Sequence, residues 1–443
     1  MLAGFGAVPL QPPAGTSRGS WGIFRVTPKE QAAQMMVRAT VLDDGALRAA
    51  VVSLDVVLLE AELARIARER AGAAAGIAPE NIVLQASHTH QGVYPTTSET
   101  PVGRAMVEAI TDAVRQASQS AAPVTVRWAR QETSGLNTNR RRRDADVDRA
   151  LTLVRFDGSE GPRAVWYHFS AHALCGMGYD DRWSADFPGY VAPALAARRP
   201  GLHVQYLQGS AGDAAPFDWW FGNTTPAEPT HDATAQRLGR LLADECDALW
   251  DLTRPSAGNG LALRRQVIEV PVRKFWFGLD EIERLIAELE PRIAANPPRP
   301  WGDRLHVATC AQSEPEVYML TGARWVRSIW PEQGKKIPCE LQVFRAGDVA
   351  LATNPGEMFT ALARGIQAAS RVPCTLVASY CNASIAYIPT RRDLEELEGL
   401  PFRAWIDQQK YRWAYGATIT TRVGNEAGEM IVEATADLLR DVE

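Results

Sequence analysis

Between residues 51 and 90 the chain reads VVSLDVVLL, then AELARIARERAGAAAG, then NIVLQASHTH. The outer two stretches are short apolar runs of the buried-strand kind, and the middle one spaces its apolar residues as an amphipathic helix does. Strand, helix and strand in that order form a crossover unit, which sets the two strands parallel and commits the chain to an α/β architecture. Gly76, Pro79 and Glu80 supply the turn between the helix and the second strand. Sheets of this kind open their crevices beyond the carboxyl ends of their strands. His88 and His90 stand at such an end.

The same grammar runs through the rest of the chain. MVEAITDAVRQASQS is an amphipathic helix, VTVRWARQE, ALTLVRFDG and AVWYHFSAHA are strands, and LHVQYLQGSAGDAAP is a strand ending in a glycine-rich turn that carries Asp213. A helix over 234–250, a strand over 261–272 and a helix over 279–294 follow, and ANPPRPWGD reads as a surface loop or hinge. Three further strands end at ELQVFRAG, VALATNPGE and TLVASYCNASIAYIPT, with helices MFTALARGIQAAS and EMIVEATADLLRDV between and after them. The expectation is an α/β fold of largely parallel or mixed sheets flanked by helices, forming one large domain over 1–443.

Charge removes several classes of function. With 47 basic against 52 acidic residues, no long-range field favours nucleic acid or an anionic membrane surface. The one basic run, Arg140 to Arg143, is followed by Asp144, Asp146 and Asp148, so it reads either as a locally neutralised solvated loop or as a site contributor. No stretch of about 18 apolar residues is present, which excludes a membrane-spanning helix. The opening MLAGFGAVPLQPPAGTS has neither the basic start nor the apolar run of a signal peptide, and the six cysteines show no CxxC spacing. Reduced thiols in a cytoplasmic protein are expected, with Cys175 a small buried hydrophobe. A homo-oligomer is compatible with the sequence.

With seven histidines in the whole chain, an HTH at a strand end is informative. Residues two apart in an extended segment face the same side, so His88 and His90 are expected in one crevice. His172, in HFSAHALCG, ends another strand. Zinc takes about four ligands from His, Cys, Asp or Glu, and a catalytic site keeps one position for water. Glu357, at the Pro-Gly turn of LATNPGE, offers the missing carboxylate, or equally the N-terminal charge of the helix that follows.

Seven motifs in order then define a resemblance. GFGAVPLQPPAG at 4–15, SHTHQG at 87–92, AHALCG at 171–176, SADFPGY at 184–190, QGSAGDAAP at 208–216, NPGE at 354–357 and AYIPT at 386–390 resemble successive signatures of the neutral and alkaline ceramidases. The resemblance covers nearly the whole chain as their catalytic domain, without their C-terminal β-sandwich. It implies one zinc ion per chain, held by His88, His172, Glu357 and Tyr387. It places His90 beside the metal, set to hydrogen-bond a zinc-bound water or a developing oxyanion, with Arg140 and Tyr415 facing the same site. The leaving amine needs an acid, and His90 is the first choice for it. One departure stands out: the family's GDVSPN turn carries a serine implicated in activity, and here Ala215 occupies that place.

The activity implied is hydrolysis of an N-acyl (amide) bond by a zinc-activated water, on a small and partly apolar substrate other than ceramide. The alternatives are an ester or lactone hydrolase on the same zinc site, or a ligand-binding relative without turnover. Asp213, Asp186 and Asp55 are the candidates for orienting the imidazoles. Trp183, Trp219, Trp220, Trp325, Trp330, Trp405 and Trp413 are read either as aromatic walls for an apolar substrate group or as ordinary core and loop anchors.

Overall fold

A computed structural model of the chain describes residues 1–18, 27–142, 144–175, 182–216, 231–296, 315–411 and 418–442. Its architecture follows from three copies of the crossover unit seen first in the sequence. Strand β3 (Arg48–Leu54), helix α1 (Ala61–Ala75) and strand β4 (Ile82–Ala86) make the first. Gly76 ends α1 in the left-handed conformation, φ 65°, which lets the chain reverse without a Cβ clash. Strand β9 (Gly161–Phe169), helix α3 (Pro188–Arg198) and strand β10 (His203–Gln208) make the second. Strand β15 (Val349–Thr353), the helix Thr360–Ala369 and strand β17 (Cys374–Ala378) make the third.

Each of these parallel pairs is the end of its own sheet, and the remaining pairings within the three sheets are antiparallel. The first sheet runs β4-β3-β2-β1-β5, with β1 (Leu2–Pro9), β2 (Met36–Asp43) and β5 (Ala122–Pro123). The second runs β10-β9-β8-β6-β12, with β6 (Thr125–Glu132), β8 (Ala150–Gly158) and β12 (Arg254–Pro255). The third runs β13-β14-β15-β17, with β13 (Leu261–Pro271) and β14 (Lys336–Ala346). Of the expected parallel or mixed sheets, the mixed form is the one built.

The sheets turn one face to each other and the other to helices. Val51, Val83, Trp128, Phe156, Trp166, Phe344, Leu351 and Leu376, drawn from all three sheets, form one buried cluster. Helices α1 and α2 (Pro101–Gln119) cover the first sheet from outside, while α3 and α4 (His231–Trp250) cover the second. The helices Thr360–Ala369 and Ala427–Arg440 cover the third. Burial on both faces explains why these strands read as unbroken apolar runs.

Edge strands β4, β10 and β17 converge on one amide. Buried Gln85 donates to the carbonyls of Gln208, 2.7 Å, and Ser379, 2.9 Å, and accepts from the Gln208 N–H, 3.2 Å. The carboxyl ends of the three edge strands are thereby gathered in one place. Among the described residues no helix is long and apolar enough to cross a membrane.

Candidate metal centre

Just past those strand ends the chain delivers its polar groups. His88 follows β4 by two residues with φ 62°, a left-handed conformation that costs an imidazole-bearing residue about 1–3 kcal/mol. The HTH segment is therefore not extended as expected: the left-handed turn at His88, rather than strand pleating, brings the two rings together. The Thr89 hydroxyl donates to Ser184 C=O at 2.7 Å, and the His90 N–H donates to Ala173 C=O at 2.9 Å, tying this loop to the one that carries His172.

Glu357 and Tyr387 arrive as neighbours. Strands β16 (Glu357–Met358) and β18 (Tyr387–Ile388) form a two-residue parallel bridge that pairs Glu357 with Tyr387. Ala386, at φ 64°, turns the chain into β18. Gly212 must be glycine here, because a Cβ would stand 2.2 Å from the Glu357 carbonyl oxygen.

Three donor atoms of the expected ligand set meet in the space so enclosed, with His90 Nε2 beside them. His88 Nε2 is 3.0 Å from His172 Nε2 and 3.1 Å from His90 Nε2. Glu357 Oε2 is 3.3 Å from His88 Nε2 and 3.2 Å from His172 Nε2, and it has no hydrogen-bond partner although buried. Bonds of about 2.0–2.1 Å around a tetrahedral zinc separate neighbouring donors by about 3.3 Å, so this spacing suits such an ion. The ligand atoms of His88, His90 and His172 all lie within 4.8 Å of one another, and this buried group can hold a metal ion.

The tautomers favour the same reading. His88 Nδ1 is 2.8 Å from Val57 C=O, and His172 Nδ1 is 2.6 Å from Ala211 C=O. A carbonyl only accepts, so each Nδ1 carries a hydrogen, and Nε2 is the ring atom left to face the gap. Burial pushes the His172 imidazole down to about 3, with Arg140 and His88 adding to it, so no proton fills the gap near neutrality. His90 is likewise pushed well below its ordinary value by burial, then by His88 and His172. Burial alone would raise the Glu357 carboxyl; positive charge at the His88 and His172 rings, which a metal ion in the gap would equally supply, outweighs it and holds Glu357 well below the usual range. Neutral imidazoles and an ionised carboxylate are the forms a metal ion binds.

Arg140, fully buried, donates to Gly212 C=O at 2.7 Å and to the Tyr387 hydroxyl at 2.7 Å. The Tyr387 ring lies parallel to that of His172, centroids 6.4 Å apart. The solvated-loop reading is thus overturned for Arg140 and Arg141: Arg141 is also buried and pairs with Asp393 at 3.3 Å, not with the aspartates that follow the run. Arg143, Tyr415, Trp219, Trp220 and Trp413 lie outside the described residues.

The aspartates do not orient the imidazoles of His88 and His172, since backbone carbonyls occupy both Nδ1 positions. Asp213 instead accepts from the Thr360 N–H and hydroxyl, both 2.8 Å, and from Asn139 at 3.0 Å. Asp55 accepts from the Met36 N–H at 2.9 Å, and Asp186 from the Phe187 N–H at 2.7 Å. Trp330 and Trp405 pack with Phe275, Phe277 and Phe402 in a separate core, and Trp325 is a surface residue. Trp183 is buried in the core of the first sheet.

Tyr380 is the residue that sequence reading missed. Its ring stacks on His88 at 4.2 Å, its hydroxyl is buried without a partner, and its backbone is left-handed at φ 63°. A tyrosine in an apolar run gives no signal of this in the sequence.

Comparison with known proteins bears on the fold. No family model matches the chain, and no curated protein matches it. Among solved structures, the neutral ceramidase of Pseudomonas aeruginosa superposes with a TM-score of 0.71 at 17% identity, over 100% of this chain and 74% of that one. A ceramidase complexed with C2 superposes with a TM-score of 0.70 at 16% identity, over 100% of this chain and 75% of that one. The chain has the ceramidase fold; its chemistry must be argued from its own residues.

Proposed function

We propose that the chain is a zinc-dependent amidohydrolase that cleaves an N-acyl bond in a small, partly apolar substrate. The observation that carries this reading is the pair of imidazole Nε2 atoms, of His88 and His172, facing each other 3.0 Å apart beside the unpartnered oxygen of Glu357. In this reading His88, His172, Glu357 and Tyr387 hold the ion. A bound zinc would supply an acidified water and a Lewis acid that polarises the scissile carbonyl.

The chain's own groups handle the rest. His90 Nδ1 is buried without a partner, unlike the Nδ1 atoms of its two neighbours, so no carbonyl fixes its tautomer. It is free to take the proton lost as water adds to the acyl carbon, and to give it to the leaving nitrogen as the C–N bond breaks. Arg140, held in place by Gly212 C=O and Tyr387, brings positive charge to the developing oxyanion. The Val57 and Ala211 carbonyls keep His88 and His172 in the orientation a metal needs.

The test is a hydrolysis screen of soluble N-acyl amides and matched esters, run on zinc-loaded and chelator-stripped protein. Zinc-dependent release of amine supports the reading. Esters hydrolysed while every amide stays intact would overturn the amide assignment, and equal rates with and without zinc would overturn the metal assignment.

A further inference from the structure

The outer edges of the three sheets are treated differently. The first ends in β5 and the second in β12, each two residues long and each containing a proline, Pro123 and Pro255. The rest of the β1 edge is covered by α2, whose residue Gln116 accepts from the Ala7 N–H, while Ser120 just beyond it accepts from the Phe5 N–H. Short, proline-bearing or covered edges resist pairing with another chain. The third sheet instead ends in the 11-residue β13, exposed over Arg264, Arg265, Gln266 and Val267 and again at Glu269, with Val267 45% exposed.

Register shows which groups this edge offers. The β13–β14 ladder is flanked by hydrogen bonds from the Gly347 N–H to Gly260 C=O, 3.1 Å, and from the Val272 N–H to Lys335 C=O, 2.8 Å. Antiparallel residues alternate between bonded and unbonded positions. Even-numbered residues of β13 therefore turn their peptide groups to β14, and odd-numbered residues turn theirs outward. The outward Leu261 N–H is taken by Asp44 and the outward Leu263 C=O by Arg264. Among the described residues the outward peptide groups of Arg265, Val267 and Glu269 have no partner.

We infer that β13 pairs with β13 of a second copy of this chain, antiparallel about a two-fold axis through Val267, so that the third sheets of two molecules join into one. The edge is complementary to itself in that register alone. It sets Val267 against Val267 and Arg265 against Glu269 of the second copy, twice by symmetry. A slip of one bonded step in either direction puts Arg265 opposite Val267 or Pro271 and loses both ion pairs. Arg265 already lies against Glu340 at 2.7 Å, which steadies the guanidinium beside the axis.

Sedimentation of the full chain across a concentration series tests this. The wild type is expected to associate to a dimer within about 100 μM. Val267→Pro removes an N–H that faces away from β14, so it should leave the chain's melting point near wild type and abolish the dimer. Glu269→Arg should weaken the dimer about tenfold, and adding Arg265→Glu should restore it. A wild type that stays monomeric, a dimer indifferent to Val267→Pro and Glu269→Arg, or a double variant no tighter than Glu269→Arg would overturn the inference.

Discussion

His88 and His172 point their Nε2 atoms at each other across 3.0 Å, and each has already given its Nδ1 hydrogen to a backbone carbonyl. In neutral rings two lone pairs at that distance repel unless a cation lies between or beside them, and the backbone pays for this arrangement again with a left-handed His88. The strain and the repulsion are both accounted for if the pocket is built around a metal ion.

Tyr387 separates a ligand role from a packing role. If its hydroxyl served only Arg140, Tyr387→Phe would cost about 1 kcal/mol of stability and leave turnover nearly intact. In the proposed centre the phenol oxygen also belongs to the metal, so activity should fall by about two orders of magnitude while the melting point barely moves. Steady-state kinetics beside a melting curve decides between the two.

Ala215 separates the proposed substrate from ceramide. It is fully buried in the short strand β11 (Ala214–Pro216), paired with Thr138, and it carries no hydroxyl to assist the reaction. Long-chain ceramide in detergent should therefore be hydrolysed negligibly, at least about a hundredfold more slowly than the best soluble N-acyl amide. Comparable rates on ceramide would contradict this.

Gln85 is expected to be the most sensitive polar position of the scaffold. Gln85→Leu strands the Gln208 N–H and leaves the Ser379 carbonyl only the weak Cys381 thiol donor at the meeting of three sheets, a loss of about 2–4 kcal/mol. Denaturant unfolding should show it as a lower midpoint, together with weaker zinc retention, because the loops that follow these strands carry the metal groups.

Glu340 gives a pH-dependent contribution. Burial would raise its carboxyl, but Arg265 and Arg68 outweigh that and lower it below the ordinary 4.5. A carboxylate held low when folded adds stability that is fully present above its unfolded value and is lost as pH falls through the folded one. The stability gap between wild type and Glu340→Gln should thus be constant from pH 6 to 8 and shrink in acid below about 4.5, as read from melting points across pH.

Much of this was legible in the sequence because it depends on local pattern. The strand ends at Ala86 and Phe169 and the turn at Pro355 and Gly356 announce His88, His172 and Glu357 through apolar runs that stop at polar groups. The left-handed turns at Tyr380 and Ala386 were not legible, since neither residue type favours that conformation, and the enrichment of histidine there is too small to single out His88 among seven. Nor were the imidazole partners, because carbonyls such as those of Val57 and Ala211 have no residue type to betray them. Tyr387 entered through resemblance, and its contact with Arg140 spans 247 residues of sequence. Pairings of that separation are fixed by the packing of three sheets, not by neighbouring residues.

The most direct test is metal content. Protein purified without added metal and measured by plasma emission should carry about one zinc per chain, and both His88→Ala and His172→Ala should lose most of it while keeping the fold. Wild type free of zinc that also fails to take it up on dialysis, or full occupancy in both variants, would contradict a metal centre at these residues.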